Sequence, residues 1–125
     1  MSKTMLVVDD SATMRKIITR TIRKAGLPVA DEILEAGDGN EALQKIEGKP
    51  VDIILCDINM PGMGGLDFVK KARTIDANKN TKIVMISTES AENLIASVKA
   101  DGADGYVTKP FTPETIQKEL APYLQ

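Results

Sequence analysis

The chain has 125 residues, one domain's worth, and a globular chain of that length can bury a core of its own. Its 42% hydrophobic and 27% charged residues exclude a disordered or collagen-like chain, and a net charge of −2 with only four aromatics leaves no basic, aromatic surface for nucleic acid. The absence of histidine and the single cysteine exclude zinc sites, histidine triads and an internal disulfide.

The first apolar run, Met5-Leu-Val-Val8, predicts a strand and is far too short for a signal or membrane segment. Met14, Ile17, Ile18, Ile22 and Ala25 then follow helical spacing, and Gly26 stops the helix. Ile33-Leu34 predicts a second strand. Ala42, Leu43 and Ile46 predict a second helix running to Gly48. Val51-Asp-Ile-Ile-Leu-Cys56 is the third strand, and Leu66, Phe68, Val69 and Ala72 mark the third helix. Ile83-Val-Met-Ile86 is the fourth strand, followed by a helix on Leu94, Ile95 and Val98 with Gly102 as its stop. Tyr106-Val107 is the fifth strand. Ile116, Leu120 and Tyr123 mark the fifth helix, with Pro113 in its first turn.

Five strand–helix units of about 25 residues each predict an α/β domain, a parallel sheet with helices on both faces. Right-handed crossovers put every strand's C-terminal end on one edge, where such folds bind ligands. No linker, repeat or low-complexity tract divides the chain, so residues 1–125 are expected to form one domain with no output domain, soluble and cytoplasmic.

The residues that follow the strands carry the chemistry. Asp9-Asp10 follows strand one, Asp57 strand three, Ser87-Thr88 strand four and Lys109-Pro110 strand five. Taken singly they are ordinary: acids and serines cap helices, and a lysine before a proline is usually solvated. Cys56 reads as a small apolar packer. Brought to one edge, they form a group of three carboxylates, a hydroxyl and an ammonium. Carboxylates within about 4–6 Å repel unless a cation intervenes, and Mg²⁺ prefers such oxygen ligands. Asp57, ending the most apolar strand, is the best-oriented nucleophile. A carboxylate beside Mg²⁺ and an ammonium can attack phosphorus and carry an acyl phosphate. Ser87 could donate to one of its oxygens.

Five blocks in order, Leu6-Val-Val-Asp-Asp10, Asp57, Met60-Pro-Gly-Met-Gly-Gly65, Ser87 and Gly105-Tyr-Val-Thr-Lys-Pro-Phe111, resemble the receiver domain of bacterial two-component response regulators over the whole chain. Asp9 to Ile18, Asn59 and Glu89 are most similar to the single-domain chemotaxis members. The resemblance implies a flavodoxin-like (βα)5 fold with strand order 2-1-3-4-5. It implies that Asp57 accepts phosphoryl from a phosphohistidine on a sensor kinase of the chemotaxis type. It makes Asp10 a direct Mg²⁺ ligand, has Asp9 act through a bound water, and adds the Asn59 main-chain carbonyl. Ser87 and Lys109 would bind phosphoryl oxygens, Asn59 and Glu89 would set the phosphoryl lifetime, and Tyr106 would be the switch aromatic. The implied output is a remodelled surface on helix four, strand five and helix five that binds the flagellar motor switch protein. A dedicated phosphatase is an optional further partner, and the chain is expected to be a monomer.

Alternatives within the family are a phosphorelay intermediate and a regulator of a non-motility partner. A haloacid-dehalogenase-type phosphatase would need a second Asp where Asn59 stands, and a flavin-binding module would not place Asp9-Asp10 at its phosphate loop. The chain departs from the family pattern at Gly64, which removes a capping side chain from helix three and predicts a more mobile loop. Ser87 stands where threonine is commoner.

Overall fold

The computed structural model describes residues 3–29, 32–47, 49, 51–75 and 78–124. The strands are β1 (Met5–Val8), β2 (Leu34–Ala36), β3 (Ile53–Asp57), β4 (Lys82–Ser87) and β5 (Gly105–Thr108). The helices are α1 (Ala12–Lys24), α2 (Gly39–Ile46), α3 (Gly65–Arg73), α4 (Glu92–Ala100) and α5 (Pro113–Leu120), with a 3-10 turn at Ala121–Tyr123. All strand pairs are parallel, in the order β2-β1-β3-β4-β5. β1 pairs with β3 from Met5–Ile53 to Val8–Cys56, and β3 with β4 from Ile53–Lys82 to Asp57–Ile86.

Each central strand is buried on both faces, so its apolar residues divide by parity. Leu6, Val8, Ile54, Cys56, Ile83 and Met85 face the layer formed by α2, α3 and α4, where Ala42, Phe68, Val69 and Val98 close the core. Met5, Val7, Ile53, Leu55, Val84 and Ile86 face α1 and α5, where they meet Ile18, Ile22, Ile116 and Leu120. Burying all of these at about 25 cal/mol per Å² is the main force holding the sheet between its two layers.

The elements differ from the sequence expectation at their ends. β2 runs Leu34–Ala36 and leaves Ile33 buried just before it; as a three-residue edge strand with exposed Glu35 it carries little apolar signal. α1 ends at Lys24 with Ala25 as its cap, and Gly26 takes φ 70° beyond it. Ile17 is not core: it is 43% exposed, because the apolar stripe of α1 is wider than the surface the sheet offers. α5 ends at Leu120, since Pro122 cannot continue it, and Tyr123 sits in the 3-10 turn. The expected stop at Gly48 lies outside the described residues. Gly102, at φ 122°, ends α4 as expected. Among the described residues no helix is long and apolar enough to cross a membrane.

Candidate functional site

Parallel winding delivers Asp9, Asp57, Ser87 and Lys109 to the C-terminal edge of β1, β3, β4 and β5, with Asp10 beside them. One carboxylate oxygen from each of Asp9, Asp10 and Asp57 lies within 4.8 Å of the others. Asp9 is buried, Asp57 half-buried and Asp10 exposed, so the cluster opens to solvent on the Asp10 side. Lys109 Nζ reaches Asp9 Oδ2 at 3.4 Å and Asp57 Oδ1 at 3.8 Å.

Each side chain is held by its own backbone context. Asp9 Oδ1 accepts the Ser11 N–H at 2.9 Å, and Ser11 in turn caps α1 through the Met14 N–H. The capping reading of Asp9-Asp10-Ser11 therefore holds for Ser11, and it leaves Asp9 Oδ2 turned to Lys109. The Asp9 carbonyl accepts from Arg15 Nη1 at 2.7 Å, and Arg15 Nε is paired with Glu35 on β2. Asp57 Oδ1 accepts the Ile58 N–H at 2.8 Å. Lys109 follows β5 on a cis peptide to Pro110, and its N–H donates to the Ser87 carbonyl at 2.7 Å. That bond ties the ammonium-bearing residue to the hydroxyl-bearing one.

The electrostatics follow from burial. Desolvation raises the Asp57 pKa above the ordinary carboxylate value, and Asp9 adds to the rise. Lys109 and the N–H groups of Ile58 and Asn59 oppose it. Three carboxylates face one ammonium, so the group lacks positive charge, and its oxygen-only donors suit a small hard dication. Cys56 is no part of this chemistry: it is fully buried in the core, and burial pushes its thiol pKa up.

Ser87 does not cap α4. The N-cap there is Ala91, with no side-chain bond, and neither Thr88 nor Ser90 supplies one. Buried Ser87 Oγ instead accepts the Glu89 N–H at 3.2 Å, within the turn that leaves β4. Asn59 and Glu89 are both exposed beside their strand ends. Tyr106 packs its ring against the α2–α3–α4 core, and its hydroxyl donates to the Glu89 carbonyl at 2.6 Å. Burial raises the pKa of that hydroxyl. α3 has Gly64 as its N-cap and so no side-chain cap, as its sequence implied.

Sequence reasoning missed a shallow apolar groove of about 330 Å³ beside the site, lined by Met14, Ile17, Thr88, Lys109, Pro110 and Phe111. The doublet Ile17-Ile18, too wide for one buried face, was its only trace. Reasoning also missed Arg15, which lies six residues beyond the Asp9 carbonyl it holds.

The family model for the response regulator receiver domain matches residues 5–121. The chain is 39% identical to chemotaxis protein CheY1 of Helicobacter pylori over 117 residues, 93% of this chain and 92% of that protein. Its fold matches the chemotaxis response regulator CheY4 of Vibrio cholerae with a TM-score of 0.88 at 39% identity, covering 99% of this chain and 100% of that one. It also matches the CheY of a CheX-CheY-BeF3-Mg complex from Borrelia burgdorferi, with a TM-score of 0.85 at 28% identity over 98% of this chain and 90% of that one. With the family pattern spanning nearly the whole chain and the acidic cluster at the strand edge, the protein belongs to the response regulator receiver domain family, in its CheY-like chemotaxis branch.

Proposed function

We propose that this chain is a signalling phosphoacceptor: Asp57 takes a phosphoryl group from a phosphohistidine of a chemotaxis-type sensor kinase. The observation that carries the reading is the cluster of Asp9, Asp10 and Asp57 oxygens within 4.8 Å, with Lys109 Nζ 3.4 and 3.8 Å from two of them. The donor set fits Mg²⁺. Asp10 and Asp57 would hold it directly, Asp9 through water, and the Asn59 main-chain carbonyl would complete the protein's share. When bound, the ion supplies positive charge against the oxygens of the incoming phosphoryl group.

The chain's own groups do the rest. Asp57 Oδ forms the bond to phosphorus as the bond from phosphorus to the histidine nitrogen breaks, and the histidine leaves with the electron pair. Lys109 swings from the carboxylates to a phosphoryl oxygen, keeping its charge in place. Ser87 Oγ, now an acceptor from Glu89, turns its own proton toward another oxygen. Asn59 and Glu89, exposed on either side, set how long the acyl phosphate survives. The chain carries one phosphoryl group per cycle and promotes its own loading and loss; it is not an enzyme acting on a separate substrate.

Output runs through Tyr106. The phosphoryl group brings about −1.5 to −2 charge to the edge, and the Ser87–Glu89 turn moves toward it. Since Tyr106 is bonded to the Glu89 carbonyl, the ring follows and the α4–β5–α5 surface changes. The flagellar motor switch protein is the proposed reader, in the cytoplasm, with the chain acting as a monomer and a phosphatase as optional partner.

The test is a titration of the full chain with the N-terminal peptide of the flagellar switch protein, in Mg²⁺, with and without beryllofluoride. Tighter binding with beryllofluoride is expected. Equal or absent binding, with Asp57 still labelled by a small phosphodonor, overturns the motor output and leaves a phosphorelay role. Equal labelling of wild type and Asp57→Asn overturns the phosphoacceptor assignment itself.

A further inference from the structure

The loop between β3 and α3 is anchored at two points. At its base the Gly65 N–H donates to the Ile58 carbonyl at 2.9 Å. At its far end the Met63 carbonyl accepts the Gly39 N–H at 3.0 Å. Gly39 opens α2, directly after its N-cap Asp38. Its N–H is one of the donors that a helix start cannot satisfy internally, and here the loop takes it.

The contact admits no side chain. A Cβ on Gly39 would lie 2.8 Å from the Met63 carbonyl oxygen, 2.6 Å from Met63 Cγ and 2.9 Å from Sδ. The side chain can rotate away, but the carbonyl oxygen is the atom that accepts the Gly39 N–H. It cannot retreat from a Cβ without stretching that bond, so the loop and the start of α2 move together. Gly39 is needed for this approach, since its backbone is not in the left-handed region. The same loop holds Asn59, whose N–H opposes the rise in the Asp57 pKa and whose carbonyl would be a metal ligand in the reading above.

We propose that Gly39, on a helix that supplies no ligand, is a positioning residue for the divalent-cation site: it seats Met63 and thereby fixes the loop that presents the Asn59 carbonyl. This rests on the Mg²⁺ site proposed above. The coupling is steric and passes through one hydrogen bond.

Calorimetric titration of the full chain with MgCl₂ alone tests it, at a temperature where circular dichroism shows each variant folded. Wild type should bind and Asp10→Asn should lose most affinity. Gly39→Ala should weaken binding about tenfold, as loss of an outer-shell support commonly does. Gly105→Ala is the control. Its Cβ would lie 3.0 Å from the Tyr123 hydroxyl, a less severe contact and with a side chain, at the opposite edge of the sheet. It should lose stability and keep its Mg²⁺ affinity. The amide resonances of Ile58 and Asn59 should shift in metal-free Gly39→Ala and stay put in Gly105→Ala.

Should Gly39→Ala not fold, the coupling is read in reverse on wild type: saturating Mg²⁺ should slow exchange of the Gly39 amide proton that the Met63 carbonyl accepts, and leave the Gly105 amide unchanged. Wild-type affinity in the folded Gly39 variant, or unchanged Gly39 amide exchange on Mg²⁺ binding where that variant does not fold, overturns the inference, and so does an equal loss in Gly105→Ala. Failure of wild type to bind Mg²⁺, or full binding by Asp10→Asn, overturns the site itself and is read separately.

Discussion

The two edges of the sheet use the same residue types in opposite ways. At the N-terminal edge Arg73, in the last turn of α3, donates to the Gly102 carbonyl, the Asn78 carbonyl and Asp104 Oδ2, each at 2.9 Å. The same Asp104 oxygen accepts the Ile83 N–H at 2.9 Å, and the Tyr123 hydroxyl donates to the Asp104 carbonyl at 2.8 Å. The guanidinium and the carboxylate there are paired. At the C-terminal edge three carboxylates share one ammonium, at 3.4 and 3.8 Å from two of them. The first arrangement closes the α3–β4 and α4–β5 turns on each other. The second leaves negative charge in excess and half-desolvated, which costs stability and, in the proposed reading, is what a cation would bind. A satisfied cluster holds a fold together, and an unsatisfied one does chemistry.

Arg73→Ala should separate the two most sharply. It leaves the Asp104 carboxylate and two carbonyls short of a donor in partly buried surroundings, a loss of about 2–3 kcal/mol. For a chain of this size that is roughly 10 °C in Tm, read by thermal denaturation. Mg²⁺ affinity and labelling of Asp57, measured well below Tm, should be unchanged; a loss of either would show that the two edges are one unit.

Asp57→Asn should do the reverse and raise the Tm of the metal-free protein by about 2–4 °C, because it removes a carboxylate that burial and Asp9 disfavour. The pH dependence has a definite sign. Folded Asp57 holds its proton more tightly than the unfolded chain does, so over that window the folded state carries the extra proton. Metal-free stability from this group is therefore full below the ordinary carboxylate pKa and falls as pH rises through the raised one. The variant should lack that slope. Saturating Mg²⁺ should stabilise wild type by mass action and reverse the order of the two proteins. A variant less stable than wild type without metal would mean that Asp57 is already compensated and that the contrast between the edges is false.

The functional edge was legible in the sequence because topology does the assembling. Once the strands alternate with helices and run parallel, Asp9, Asp57, Ser87 and Lys109 must meet, whatever their separation along the chain. The structural edge was not legible. Arg73 and Asp104 lie 31 residues apart in two turns, and nothing in either segment marks the partner. Ser87 shows the limit of local reading: a serine before a helix suggests a cap, but the β4 turn intervenes and its hydroxyl serves Glu89 instead. Gly39 is the same lesson at a glycine. It lies at a helix start, where glycine is unremarked, and only the seat of Met63 shows why no side chain fits.

Gly64 offers the smallest and finest probe of the comparison. It is the N-cap of α3, at φ −77° and ψ 175°, a conformation open to any residue, and it makes no side-chain cap bond. Gly64→Ser supplies the missing acceptor for the first turn and reduces the freedom of the unfolded chain, together worth about 0.5–1 kcal/mol. The opposing term is steric: a Cβ there lies 3.3 Å from the Ile58 carbonyl oxygen, so the loop must give by a few tenths of an ångström. Ile58 follows Asp57 directly, and that carbonyl is already held by the Gly65 N–H. If the gain wins, chemical denaturation will show a higher midpoint with the same slope, and the loop has slack that the site does not need. If the midpoint falls, the contact at Ile58 is tight. The sacrifice of stability at this edge then extends beyond its charges to the glycines that let the loop close on Asp57.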